Sequence, residues 1–172
     1  MIPRFLAAAG IAAVCATAAI AAEDRVLQLP ADYRTAYDNY LISDRLQNEH
    51  QVISLFANDV ARRGQLTDGA LPEGSIIVGE IYKAKLDDDG DAVESFMSRR
   101  IPEELAAIVV MERRAEWAEQ YPDDLKLGGW EFEVFSLAGE NLGKDTAGCR
   151  ECHAPLGDTD YLWSIEHIRA AN

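Results

Sequence analysis

Leu71-Pro72-Glu73-Gly74-Ser75-Ile76-Ile77-Val78-Gly79-Glu80-Ile81-Tyr82-Lys83 joins a turn to an alternating apolar run, and the architecture follows from it. Pro72 presets φ and Gly74 tolerates the exit, so Leu71 to Gly74 is a turn. The β-branched run behind it alternates as a strand. Ile77, Gly79, Ile81 and Lys83 share one face, and Ile76, Val78, Glu80 and Tyr82 share the other. Downstream, Asp87-Asp88-Asp89-Gly90-Asp91 reads as a solvated hairpin turn; a calcium loop is out of register, because Lys85 stands at its first ligand position. Ala92 to Arg99 is expected to pair as the returning strand. Gly128 to Ser136 is the clearest other strand, with Trp130, Phe132 and Val134 alternating with Glu131, Glu133 and Phe135.

Upstream, Pro30 opens a helix expected to run to about Leu46, since Tyr33, Ala36, Tyr37, Tyr40 and Leu41 recur at helical spacing. Gln51 to Ala57 is a short apolar segment and Asp59 to Arg63 a helical turn. Pro102-Glu103-Glu104 looks like a helix start. Ala106 to Met111 fits a helix or a buried strand, and Ala115 to Gln120 a helix. Strands that follow turns rather than helical crossovers give an α+β chain: a central antiparallel β-sheet with flanking helices and a distinct C-terminal segment.

The 172 residues correspond to one domain. With 30 acidic and 16 basic residues the net charge is −14. That excludes nucleic acid, which recruits clustered Lys and Arg, and an anionic membrane surface. Solubility accounts for the acidity; a face for a basic redox partner is the lesser reading. At the N-terminus, Arg4, the apolar Phe5 to Ile20 and the small-x-small Ala19-Ile20-Ala21, followed by Glu23-Asp24, read as a signal peptide over residues 1–21. The expectation is export to the periplasm and a single domain over 22–172. Cys15 leaves with the leader, because Ala-Val before it is no convincing lipobox.

Two cysteines then remain, in Ala147-Gly148-Cys149-Arg150-Glu151-Cys152-His153. This is the c-type haem attachment signature. Residues three and four apart share one side of a helical turn, so Cys149 and Cys152 reach two vinyl groups while His153 turns to the iron as proximal ligand. A zinc site needs a second ligand pair, and only His50 and His167 remain. A thioredoxin-like centre needs a preceding βαβ unit, and a plain disulfide leaves His153 unexplained. Candidates for a sixth iron ligand are His50, His167, Met97, Met111, Lys83 and Lys85, none in a recognisable Met-ligand loop.

Beyond this motif the chain resembles the cytochrome P-460 / cytochrome c′-beta family. The resemblance runs through Leu29-Pro30-Ala31-Asp32-Tyr33-Arg34, Phe56-Ala57-Asn58-Asp59-Val60-Ala61, Leu71 to Val78, Val110-Met111-Glu112-Arg113, Gly128-Gly129-Trp130-Glu131-Phe132, the haem motif and Asp158-Thr159-Asp160-Tyr161. It implies a small homodimer built on an antiparallel sheet, with one five-coordinate haem iron held by His153. Members of the family bind nitric oxide or related molecules, and some oxidise hydroxylamine. In those enzymes a lysine is also joined to the porphyrin. Its position falls at Gly79 here, and the family's Lys after Met-Glu is Arg113. Lys83, on the same strand face as Gly79, is the candidate for a cross-link; a solvated strand-end lysine is the competing reading.

Three functions are therefore expected in order. The first is a periplasmic haem c protein with an open distal side that binds nitric oxide or a similar ligand, with Phe132 or Phe56 excluding water. The second is a hydroxylamine-oxidising enzyme with Glu80 or Glu131 as proton acceptor. The third is a six-coordinate electron carrier.

Overall fold

The computed structural model describes residues 27–170. The expected signal peptide lies outside the described residues. The core of the fold is one five-stranded antiparallel meander of order β1-β2-β3-β4-β5. The strands are β1 (Asp38–Asp44), β2 (Gln51–Ala57), β3 (Ile76–Ala84), β4 (Pro102–Arg113) and β5 (Trp130–Phe135). Short helices decorate it: α1 (Tyr33–Ala36), α2 (Asp59–Arg63), α3 (Ala147–His153) and α4 (Ile165–Ala170), with 3-10 turns before β5 and after α3. The α+β class read from the sequence is what the chain forms. Among the described residues no helix is long and apolar enough to cross a membrane.

β3 sits at the centre, and its two faces divide the core as its alternation requires. Ile77 joins Ala57, Ala61, Leu71, Leu127, Trp130, Phe132, Leu162 and Ile168 in one cluster. Val78 joins Leu27, Tyr33, Ile108, Val110, Trp117 and Phe135 in the other. The turn before β3 is closed by Gly74, whose φ of 80° suits glycine. Asn58 caps α2 through its side chain, accepting from Ala61 N–H at 2.9 Å, and also donates to the Gly74 carbonyl at 2.8 Å.

The long helix from Pro30 does not form. α1 stops at Ala36, and Tyr37 is already extended at φ −104°, ψ 148°. The aromatic spacing that looked like one helical face serves two faces of a sheet: Tyr33 and Tyr37 pack in the second cluster, Tyr40 against the first. A register shift between Asn39 and Leu41 allows this. Pro102 begins a strand instead of a helix. Proline is tolerated at a first strand residue, and β4 beyond it alternates buried Ile108, Val110 and Glu112 with half-buried Val109 and Met111. That alternation also decides Ala106 to Met111 in favour of strand. Ala115 to Gln120 is a 3-10 helix.

Residues 85–101 form an arm rather than a full strand pair. Its sides are joined by the isolated bridges Leu86↔Ala92 and Glu94↔Arg100 and by scattered backbone hydrogen bonds, among them Lys85 N–H to the Ile101 carbonyl at 2.8 Å and Ser95 N–H to the Arg99 carbonyl at 2.7 Å. Its acidic turn is self-closing as expected, with Asp87 Oδ1 accepting from the Asp89 and Asp91 N–H groups at 3.0 Å each. A second turn, Ser98 N–H to Ser95 carbonyl at 2.9 Å, breaks the pairing.

Candidate functional site

Helix α3 carries the C-x-x-C-H motif on one side. The Cys149 and Arg150 N–H groups return to the Thr146 carbonyl at 3.0 and 3.1 Å and start the turn. Cys149 and Cys152 are free thiols. Cys149 packs against the first core cluster, and burial, then its neighbour Cys152, pushes its thiol pKa up. Cys152 Sγ lies 3.9 Å from Gln47 Nε2, in the β1–β2 connection.

His153 is half-buried at the end of α3. Its Nδ1 lies 2.6 Å from the Tyr161 carbonyl oxygen, which only accepts, so Nδ1 carries the proton and in the neutral ring Nε2 keeps its lone pair. Burial holds the imidazole pKa below its ordinary value, partly countered by that carbonyl, which favours the neutral form that ligates a metal. The Phe132 ring stands edge-on at 5.1 Å.

The first of the two residues between the cysteines is structural. Arg150 is 1% exposed. It is ion-paired with Glu131 of β5, donates to the Leu125 carbonyl at 3.0 Å and stacks at 3.4 Å on Tyr121. Tyr121 in turn donates to Glu131 at 2.5 Å. Burial first, then Glu131, pushes the Tyr121 hydroxyl pKa up to about 12.

The sheet face bearing Phe132 is apolar, and part of it is only half covered. Ile53, Leu55, Val109, Met111 and Val134 are half-buried around Gly79, to which Leu55 and Val109 are direct cross-strand partners. An apolar face beside two thiols and an imidazole nitrogen is the donor set and surface that a haem requires.

The other sequence candidates are spread out. His50, His167 and Lys85 are exposed, and Met97 is 81% exposed on the arm. Lys83 is exposed at the end of β3 and paired with Glu104 at 2.8 Å. Met111 alone of the six is half-buried on the Phe132 face, as the cross-strand partner of Phe132 itself. Phe56, expected as a distal residue, lies on the opposite face, edge-on to Tyr33 at 5.4 Å. Glu80 is on that opposite face too, where it accepts from Tyr33 and Tyr82 at 2.6 Å and Arg34 at 2.5 Å. Glu131 is committed to Arg150 and Tyr121. Among the described residues no group of three or more His, Cys, Asp or Glu side chains is placed to hold a metal ion by itself. Sequence reasoning passed over Arg150, Gln47 and the Tyr161 carbonyl. An arginine flanked by cysteines is unremarkable until its acid, 19 residues away, is known.

A half-covered apolar sheet face with a C-x-x-C-H turn against it defines a haem-binding cytochrome. The chain matches the family model Cytochrome P460 over residues 30–164, and it belongs to that family. No curated protein matches it.

Proposed function

We propose that the protein is a periplasmic c-type cytochrome that carries one covalent haem and binds nitric oxide or a related small molecule at an open distal side. Cys149 and Cys152 hold the ring by thioethers, and His153 Nε2 is the proximal ligand. The observation that carries this is the fixed tautomer of His153: Nδ1–H is spent on Tyr161, and Nε2 is free on the same helical turn as both thiols. When bound, the haem supplies an iron to which a small ligand coordinates.

The chain's own residues do the rest. The half-buried Ile53, Leu55, Val109 and Val134 exclude water from the ring face, and Phe132 fixes the imidazole edge. An open distal position is supported by the candidate ligands: five are exposed, Lys83 among them in an ion pair with Glu104, and Met111 packs against the first core cluster. Export rests on the leader-like first 21 residues, and a homodimer on the family resemblance. The test is spectral. The reduced holoprotein should bind carbon monoxide and nitric oxide rapidly, with a five-coordinate spectrum beforehand. A six-coordinate spectrum unchanged by either gas contradicts the open site.

A further inference from the structure

We infer that Asp160 is a positioning residue for His153, acting through the Tyr161 carbonyl. The inference rests on the proximal-ligand reading above. Asp160 and Tyr161 are consecutive non-glycine residues in the left-handed region, at φ 51° and 60°. A bulky L-residue seldom adopts this conformation unless its surroundings impose it. The strained pair reverses the chain after the 3-10 turn Ala154–Thr159 and delivers the Tyr161 carbonyl to His153 Nδ1 at 2.6 Å.

Backbone bonds close this turn on itself, Tyr161 N–H reaching the Leu156 carbonyl at 2.8 Å, and the Asp160 side chain, 6% exposed, ties it to the strand side of the fold. Its Oδ2 accepts from the Leu71 N–H at 2.8 Å, across 89 residues of chain. Its Oδ1 faces Arg113 Nε at 3.9 Å. Arg113 also donates to the Leu71 carbonyl and, at 3.1 Å, to the Gly128 carbonyl. Both backbone groups of the fully buried Leu71 are thereby tied, one to Asp160 and one to Arg113. The turn that opens β3 and the turn that orients the proximal imidazole are one closed network. Without the carboxylate, the left-handed pair loses its hydrogen-bonded tie to Leu71 and relaxes, and the carbonyl leaves Nδ1.

Wild type, D160A, D160N and D160E are produced as full-length holoproteins. The iron–histidine stretching band of the reduced forms is read by resonance Raman, together with the reduction potential. A histidine that loses its acceptor is a weaker base toward iron. D160A and D160E should therefore show a lower band frequency, the first by deletion and the second by displacing the oxygens. D160N keeps an oxygen for the Leu71 N–H and should keep the wild-type frequency, even though removal of charge moves its potential. If D160A retains no haem, D160E and D160N still decide. Wild-type bands in all variants, or equal shifts in D160N and D160E, overturn the inference alone. A wild type with haem but no iron–histidine band overturns the proximal reading together with it.

Discussion

Arg150 and Glu131 form a buried ion pair that ties the turn between the two cysteines to the start of β5. Both side chains are nearly inaccessible, at 1% and 8% exposure. Removing one partner of such a pair strands the other charge, so E131A should lose about 3–5 kcal/mol of unfolding free energy. E131Q, which keeps an acceptor, should lose less. Denaturant melts of the holoproteins measure this. A loss for E131A below about 1 kcal/mol, the range of an exposed pair, would contradict the buried role.

Glu80 sets an acid limit on stability. Burial opposes its ionisation, but the Tyr33 and Tyr82 hydroxyls and Arg34 prevail and hold the carboxyl below the usual range. A carboxylate with a depressed folded pKa contributes stability above its unfolded value, near 4.5, and loses it as pH falls through the folded pKa. Wild type should therefore exceed E80Q by a constant margin at neutral pH, and the margin should shrink as the pH drops below the unfolded value. A margin independent of pH down to acid unfolding would refute the ionised assignment.

Lys83 should be dispensable. Its amine is exposed, and Glu104, by hydrogen bond and charge, raises its pKa. K83A is expected to leave the absorption spectrum and the mass of the denatured haem adduct unchanged. A blue-shifted ferrous Soret band in K83A would instead make Lys83 a third covalent attachment.

Gly79 keeps the apolar face flat. A Cβ there would meet Val109 Cγ2 at 2.8 Å, Ile53 Cδ1 at 3.2 Å and Leu55 Cδ2 at 3.3 Å. G79L should cost about 1–3 kcal/mol by overpacking and lower the haem-to-protein ratio. A haemochrome assay checks the ratio; wild-type values for both quantities would remove this face from the haem site.

What could be read from sequence was local. β3 was legible because its alternation and its Pro-Gly turn agree within 13 residues. β5 and the C-x-x-C-H turn were legible for the same reason. β1 was not, because the spacing of Tyr33, Tyr37 and Tyr40 mimics a helix while serving both faces of a sheet. Pro102-Glu103-Glu104 carried the signs of a helix start, and only pairing with β3 overrides them. The supports of the site were invisible for a related reason. Arg150 and Asp160 look like surface charges until Glu131 and Leu71 arrive from distant chain. Phe56 and Glu80 lie on the face opposite Phe132, which was not legible because a strand's parity does not say which face the C-terminal segment will cover.

Covalent attachment is the claim on which the rest depends. The chain, expressed with haem-maturation machinery and then denatured in acid, should show by intact mass a single species one haem heavier than the mature polypeptide. C149S/C152S should lose that addition. A wild-type mass equal to the bare polypeptide, with Cys149 and Cys152 both open to alkylation, would contradict the account.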